Sequence, residues 1–313
     1  MVKIDLITGF LGSGKTTFLK KYARYCMDQG ENICILENDF GAVNIDMMLI
    51  QDLLGDKCDM EMVAGGCDKD CHIRRFKTKL IAMGMCGYQR VIVEPSGIFD
   101  VDEFFDVLRE EPLDRWYEID NVITIVDATL TEDLSEGAQY LLGSQVANAG
   151  TILCSKVTES NHSREELLAH ITDALTKIKC NRDLLKLDHC IIYQDWETFT
   201  EEDFERISSG GYVNASYEKL SMEEEEIFQS LYYMNLDLKK EDLIPKIKQL
   251  FSDVSYGKII RVKGFLMEEG HWLEINATKE GIAMKEIKNG QKVIIVIGES
   301  LEKESIETMI MKD

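Results

Sequence analysis

Short apolar runs punctuate the first two-thirds of the chain, at residues 4–7, 33–36, 91–93, 122–126 and 152–154, with a sixth at 191–193. Between them lie stretches with helical spacing of apolar positions, at 16–27, 73–85, 101–108 and 164–178. Continuous apolar strands separated by helices predict a mostly parallel sheet covered on both faces, an α/β domain over residues 1–204. The rhythm changes after Phe204. Ser208-Ser209-Gly210-Gly211 reads as a turn and Glu223 to Glu226 as an acidic run, so residues 205–226 are expected to form a linker. Beyond it, strand-like runs at 231–236, 258–265, 272–275, 283–287 and 293–297 combine with helical patterns at 240–251 and 301–310. They predict a smaller α+β domain over 227–313.

Composition narrows the class. The chain has 313 residues, 45% hydrophobic and 29% charged, which is a globular composition with length for two domains. No apolar run reaches the ~18 residues of a membrane span, and the N-terminus enters a strand at once, leaving no room for a signal peptide. A cytoplasmic location is the resulting expectation. A formal net charge of −22 argues against nucleic acid and anionic membrane surfaces as partners. The nine cysteines are expected as reduced thiols, several of them small core residues.

The chemistry begins directly after the first strand. Thr8-Gly9-Phe10-Leu11-Gly12-Ser13-Gly14-Lys15-Thr16-Thr17 contains G-x-x-x-x-G-K-[ST], a complete P-loop at a strand-to-helix junction. Gly9, Gly12 and Gly14 let successive backbone N–H groups, including those of Leu11, Ser13 and Thr17, converge on phosphate oxygens. The helix that follows adds its positive end. Lys15 is expected on the β- and γ-phosphates and the Thr16 hydroxyl on Mg2+. Arg90-Val91-Ile92-Val93-Glu94-Pro95-Ser96-Gly97 supplies a strand ending in a carboxylate with a glycine close behind. Glu94 is the candidate to hold magnesium through water or to position the attacking water, and the Gly97 N–H the candidate to meet the γ-phosphate. The loop after the second strand carries Glu37, Asp39 and Asp46, placed where a loop reorders with the γ-phosphate. Base recognition is weaker. Ser155-Lys156-Val157-Thr158 stands where guanine-specific proteins have Asn-Lys-x-Asp, so Ser155 and Lys156 fit while Thr158 lacks the carboxylate that reads guanine. GTP is favoured, with reduced selectivity.

Gly65-Gly66-Cys67-Asp68-Lys69-Asp70-Cys71-His72 places two thiols and an imidazole in one segment. Thiolate and imidazole suit Zn2+ and related ions, and carboxylates from Glu37 or Asp39 would complete a set. Two cysteines are few for a closed structural site, so an exchangeable site, or one shared across a homodimer, fits better. The spacing alone fits two ordinary loop cysteines equally well.

Together these residues resemble the CobW-type GTPases of the SIMIBI metallocentre-assembly group, which includes HypB and UreG. The P-loop decapeptide carries most of the resemblance. Asn38-Asp39-Phe40-Gly41, Ile45-Asp46, Glu94-Pro95-Ser96-Gly97, the run from Val122 to Ala128 and Gln145 extend it, as do the run from Ile260 to Phe265, Trp272 and Ile297-Gly298 in the second domain. The resemblance implies a GTP-hydrolysing metallochaperone that delivers Zn2+, Co2+ or a similar ion to a client metalloenzyme or a cofactor-assembly pathway such as cobalamin synthesis, with slow turnover in the absence of a partner. It also implies a metal motif Gly-Cys-x-Cys-Cys. Cys67 matches its first cysteine and Cys71 its last, one residue is inserted and the middle cysteine is missing. That departure leaves a second reading open, a nucleotide-gated clamp on a client metalloenzyme that carries no metal.

Overall fold

Seven strands frame the N-terminal part of the molecule: β1 (Val2–Gly9), β2 (Ile33–Asp39), β3 (Cys58–Ala64), β4 (Arg90–Pro95), β5 (Tyr117–Asp127), β6 (Thr151–Ser155) and β7 (Ile191–Ile192). The computed structural model describes residues 1–39, 49–64, 69–99, 101–130, 134–219, 228–279 and 281–311. It resolves into two units, Met1–Leu220 and Ser221–Asp313. In the first, the strand order is β3-β2-β4-β1-β5-β6-β7, with every neighbouring pair parallel. The chain leaves central β1 toward one side, builds β2, β3 and β4, and then fills the other side with β5 to β7. That reversal beside β1 creates the crevice at the carboxyl ends of the strands where open α/β sheets bind ligands.

Helix Lys15–Asp28 closes one face of the sheet, burying Phe18, Leu19, Tyr22, Ala23 and Cys26 against Ile33, Ile35, Ile92 and Ile123. The larger of these, such as Phe18, Leu19 and the isoleucines, contribute about 1.5–3 kcal/mol each. Among the described cysteines, Cys26, Cys34, Cys58 and Cys154 are buried as expected. Burial pushes the Cys34 and Cys154 thiols up to about 12 and Cys58 up to about 11, so these are inert packing groups.

Strand β3 and helix Glu136–Ala147 are among the elements that escape the sequence pattern. Strand β3 lies at the sheet edge, and its alternation of Asp59 and Glu61 with Met60 and Met62 hides it from a search for continuous apolar runs. Helix Glu136–Ala147 is buried nearly all round, so it shows no amphipathic stripe. The Ser135 side chain caps it, accepting from the Ala138 N–H at 3.1 Å.

A buried polar network ties the opposite end of the sheet. The Asp5 carboxylate, fully buried on β1, accepts from Tyr22 Oη at 2.9 Å, from the Asn121 N–H at 3.0 Å and from the Arg90 guanidinium. Arg90, at the start of β4, also donates to Glu31 and lies 3.0 Å from Asp120. Burial raises the Asp5 pKa and the Arg90 charge pulls it back.

The same network holds the stretch expected as a linker. Asn121 Nδ2 donates to Ser208 O at 3.0 Å, and the Gly211 N–H donates to Asn121 Oδ1 at 2.9 Å. The boundary placed at residue 204 falls inside helix Glu201–Ser208, whose Ile207 is fully buried in the first core. Residues 209–219 continue along the same unit through an Ala149–Tyr212 bridge and a Glu218 N–H bond to Ile178 O. The serine and glycine signal marks a real turn, and part-buried hydrogen bonds from Asn121 fasten it. The acidic run from Glu223 to Glu226 lies outside the described residues.

The second unit is α+β. Strands β8 (Gln229–Met234), β9 (Lys258–Glu268), β10 (His271–Thr278), β11 (Gly281–Ile287) and β12 (Val293–Glu299) form an antiparallel sheet in the order β11-β10-β9-β12-β8. Helices Lys240–Ser252 and Lys303–Met311 bury Leu243, Ile247, Leu250, Ile306 and Ile310 in a core with Val262, Ile275 and Val296. Among the described residues no helix is long and apolar enough to cross a membrane.

Candidate functional site

The P-loop leaves β1 at Gly9 and enters helix Lys15–Asp28 through Gly14. Gly9, Gly12 and Gly14 hold φ values of 148°, 78° and 98°, the left-handed region that side chains avoid. At Gly9 a Cβ would also sit 2.3 Å from Ile125 O. The Lys15 ammonium donates to Gly9 O at 3.0 Å, tying the end of the loop to its beginning. Ser13 is fully buried, and its hydroxyl has no hydrogen-bond partner among the described residues. A tight glycine cradle with a lysine and an unused hydroxyl fits a phosphate chain.

Beside the loop, the donor set fits Mg2+. Thr16 Oγ1 donates to Glu94 Oε1 at 2.8 Å. Glu94 and Glu37 are register partners on adjacent β4 and β2, and each is 3% exposed. Two buried carboxylates and a hydroxyl on one patch form an oxygen set suited to a hard cation.

Residues 94–97 are held from three directions. A Cβ on Gly97 would lie 2.7 Å from the Leu11 N, so only glycine lets this turn press against the P-loop. Gln145 Nε2 donates to Gly97 O at 3.0 Å, while Gln145 O accepts from Thr124 Oγ1 at 2.6 Å. The Ser96 N–H donates to Asn38 O at 2.9 Å. The helix the sequence pattern missed thus supplies a group that orients this turn.

On the base side, Ser155 ends β6 and Lys156 takes a left-handed φ of 53°. The Lys156 ammonium pairs with Asp127, whose other oxygen accepts from the Thr129 N–H at 2.9 Å and from its hydroxyl at 2.7 Å. Thr158 is exposed. Sequence reasoning missed Trp196, three residues past Tyr193. Its ring lies 3.3 Å from where a Gly14 Cβ would stand and meets Phe18 edge-on at 5.6 Å. Its indole Nε1 and the Ser155 hydroxyl are buried without hydrogen-bond partners among the described residues. Its lone position after a short apolar run gave no periodic signal.

The thiol segment is described in part. Cys67 lies outside the described residues. Asp39 closes β2, and its side chain lies outside them as well. Cys71 stands half-buried in the first turn of helix Lys69–Gly84. His72, expected as a metal ligand, is 1% exposed and donates from Nε2 to Asn38 Oδ1 at 2.7 Å. That bond engages one ring nitrogen with the protein, as ligating histidines also do. Among the described residues no group of three or more His, Cys, Asp or Glu side chains is arranged to hold a metal.

The fold and the loop define a P-loop nucleotide-binding protein of the doubly wound α/β class. The chain belongs to the CobW/HypB/UreG family, whose nucleotide-binding domain model matches residues 3–186. It is 29% identical over 184 residues to the zinc chaperone YjiA of Escherichia coli K12, covering 54% of each chain. It is 28% identical over 169 residues to the zinc chaperone YeiR of the same organism, covering 54% of this chain and 50% of that one. The chain spans about half the length of the curated relatives it matches. Among solved structures, Zn(II)-bound YjiA GTPase from E. coli superposes with a TM-score of 0.39 at 19% identity over 99% of each chain. The hydrogenase maturation factor HypB from Archaeoglobus fulgidus gives 0.43 at 17% identity, over 66% of this chain and 87% of that one.

Proposed function

We propose that this protein is a GTP-hydrolysing metallochaperone, one that couples the nucleotide state at the P-loop to release of a transition-metal ion for a client metalloenzyme or cofactor-assembly protein. The observation that carries the reading is a meeting of two chemistries on β2. Glu37 faces Glu94 and the magnesium patch, and the next residue, Asn38, bonds the helix that bears Cys71. Bound Mg2+ neutralises charge developing on the phosphates. Thr16 and Glu94 would hold it, Lys15 would reach the β- and γ-phosphates, and the Gly97 N–H would meet the γ-phosphate. Cys67 and Cys71, with Glu37 or Asp39, hold the cargo ion. Zinc is the preferred cargo, since both bacterial relatives are named zinc chaperones. Cobalt for a cobalamin pathway is the alternative cargo. The cytoplasm is the proposed location.

Metal titration of the reduced protein, with Mg2+ and either a GTP analogue or GDP, tests this. A divalent transition metal is expected to bind more tightly in one nucleotide state, and the Cys67→Ser/Cys71→Ser double variant to lose that binding. Absence of binding in both states would leave the second reading, a nucleotide-gated clamp without cargo. The missing middle cysteine of the Cys67 to Cys71 segment favours that reading.

The exposed Thr158 bears on nucleotide choice. A carboxylate there accepts from guanine N1–H and N2–H, and charge-assisted bonds of that kind contribute about 1.5–3 kcal/mol. Thr158→Asp is therefore expected to shift the GTP-over-ATP preference toward GTP by about 10- to 100-fold in competition binding. An unchanged ratio would mean that this loop does not read the base.

A further inference from the structure

We propose that His72 is a positioning residue, the link through which the nucleotide-facing turn at residues 94–97 sets the placement of Cys71. The inference rests on the nucleotide switch proposed above and adds the side chains that transmit it. Asn38 is bonded on two sides. Its backbone O accepts from the Ser96 N–H at 2.9 Å, and its Oδ1 accepts from His72 Nε2 at 2.7 Å. Ser96 precedes Gly97, whose backbone lies against Leu11 of the P-loop. His72 follows Cys71 directly in the first turn of helix Lys69–Gly84. A continuous path thus runs from P-loop to turn, from turn to β2, and from β2 to the thiol.

Burial makes the path mechanical. Asn38 and His72 are each 1% exposed, so water cannot replace the bond between them when either one moves. A shift of residues 94–97 on a change of nucleotide must carry Asn38 and the helix start with it, or break a buried hydrogen bond. Two discrete arrangements biased from both ends are what coupling between sites requires. An ordinary packing role for His72 would fix the helix equally in both nucleotide states.

The test is alkylation of Cys71 by N-ethylmaleimide, resolved by peptide mass spectrometry, in metal-free protein with Mg2+ and either a GTP analogue or GDP. In the wild type the two rates are expected to differ by about threefold to tenfold. His72→Phe, which keeps the volume and loses the donor, is expected to bring the ratio to about one, and His72→Gln to restore part of it. Nucleotide affinity measured on the same samples separates uncoupling from misfolding. Amide exchange of wild-type residues 69–76 in the two states gives a readout that needs no variant. Equal alkylation and equal exchange in both states would overturn the link, as would a ratio that survives in His72→Phe. Metal titration is independent of these outcomes, so failure of the link and failure of the metallochaperone reading are told apart.

Discussion

Arg90→Ala is expected to destabilise the protein by about 3–5 kcal/mol, the cost of removing one partner from a buried ion pair. The guanidinium lies among Asp5, Glu31 and Asp120, and the Asp5 carboxylate is fully buried. Without Arg90 that carboxylate keeps its desolvation and loses its cation, so its folded pKa rises further above the unfolded value of about 3.9. A carboxylate with a raised folded pKa contributes stability below its unfolded pKa and loses it as pH climbs through the folded one. The penalty of Arg90→Ala should therefore be smallest near pH 4 and grow toward neutrality. Urea unfolding of wild type and variant at both pH values measures it. A loss under about 1 kcal/mol at neutral pH, or one that does not grow with pH, would show that the remaining hydrogen bonds to Asp5 suffice.

This network also shows where the sequence stops speaking. Strands β1, β2, β4, β5 and β6 are legible because a parallel sheet covered on both faces demands continuous apolar runs. The P-loop is legible because its chemistry is local in sequence. Asp5 and Arg90 are 85 residues apart, and each reads alone as an ordinary charge beside a strand. Only the parallel register of β1 with β4 brings them together. The same holds for Gln145 on Gly97, Trp196 beside Gly14 and His72 on Asn38: contacts between distant segments leave no periodic trace. The turn at 208–211 reads correctly as a turn, while the Asn121 side chain that holds it to the first unit belongs to a distant strand. The pair of buried carboxylates beside the P-loop falls between these cases. Glu94 is visible as the carboxylate ending an apolar strand, whereas its pairing with Glu37 follows from the β2–β4 register.

Glu94→Gln should lower the rate of GTP hydrolysis by about 100- to 1,000-fold, the usual effect of removing a charged group that orients the attacking water or the cation. The substitution keeps the side chain's shape, and a glutamine oxygen can still accept from Thr16 Oγ1, so the local hydrogen bond is retained. What is lost is one of the two carboxyl groups of a buried patch. Stability should accordingly not fall, since two carboxylates in register at a buried site oppose each other when no cation lies between them. Phosphate release under single-turnover conditions, with nucleotide affinity measured alongside, separates the effects. A rate loss with affinity changed by less than about tenfold identifies an interaction made mainly in the transition state. A hydrolysis rate within threefold of wild type would reduce Glu94 to a strand-end residue, and the water-positioning group would then have to be sought elsewhere around the P-loop.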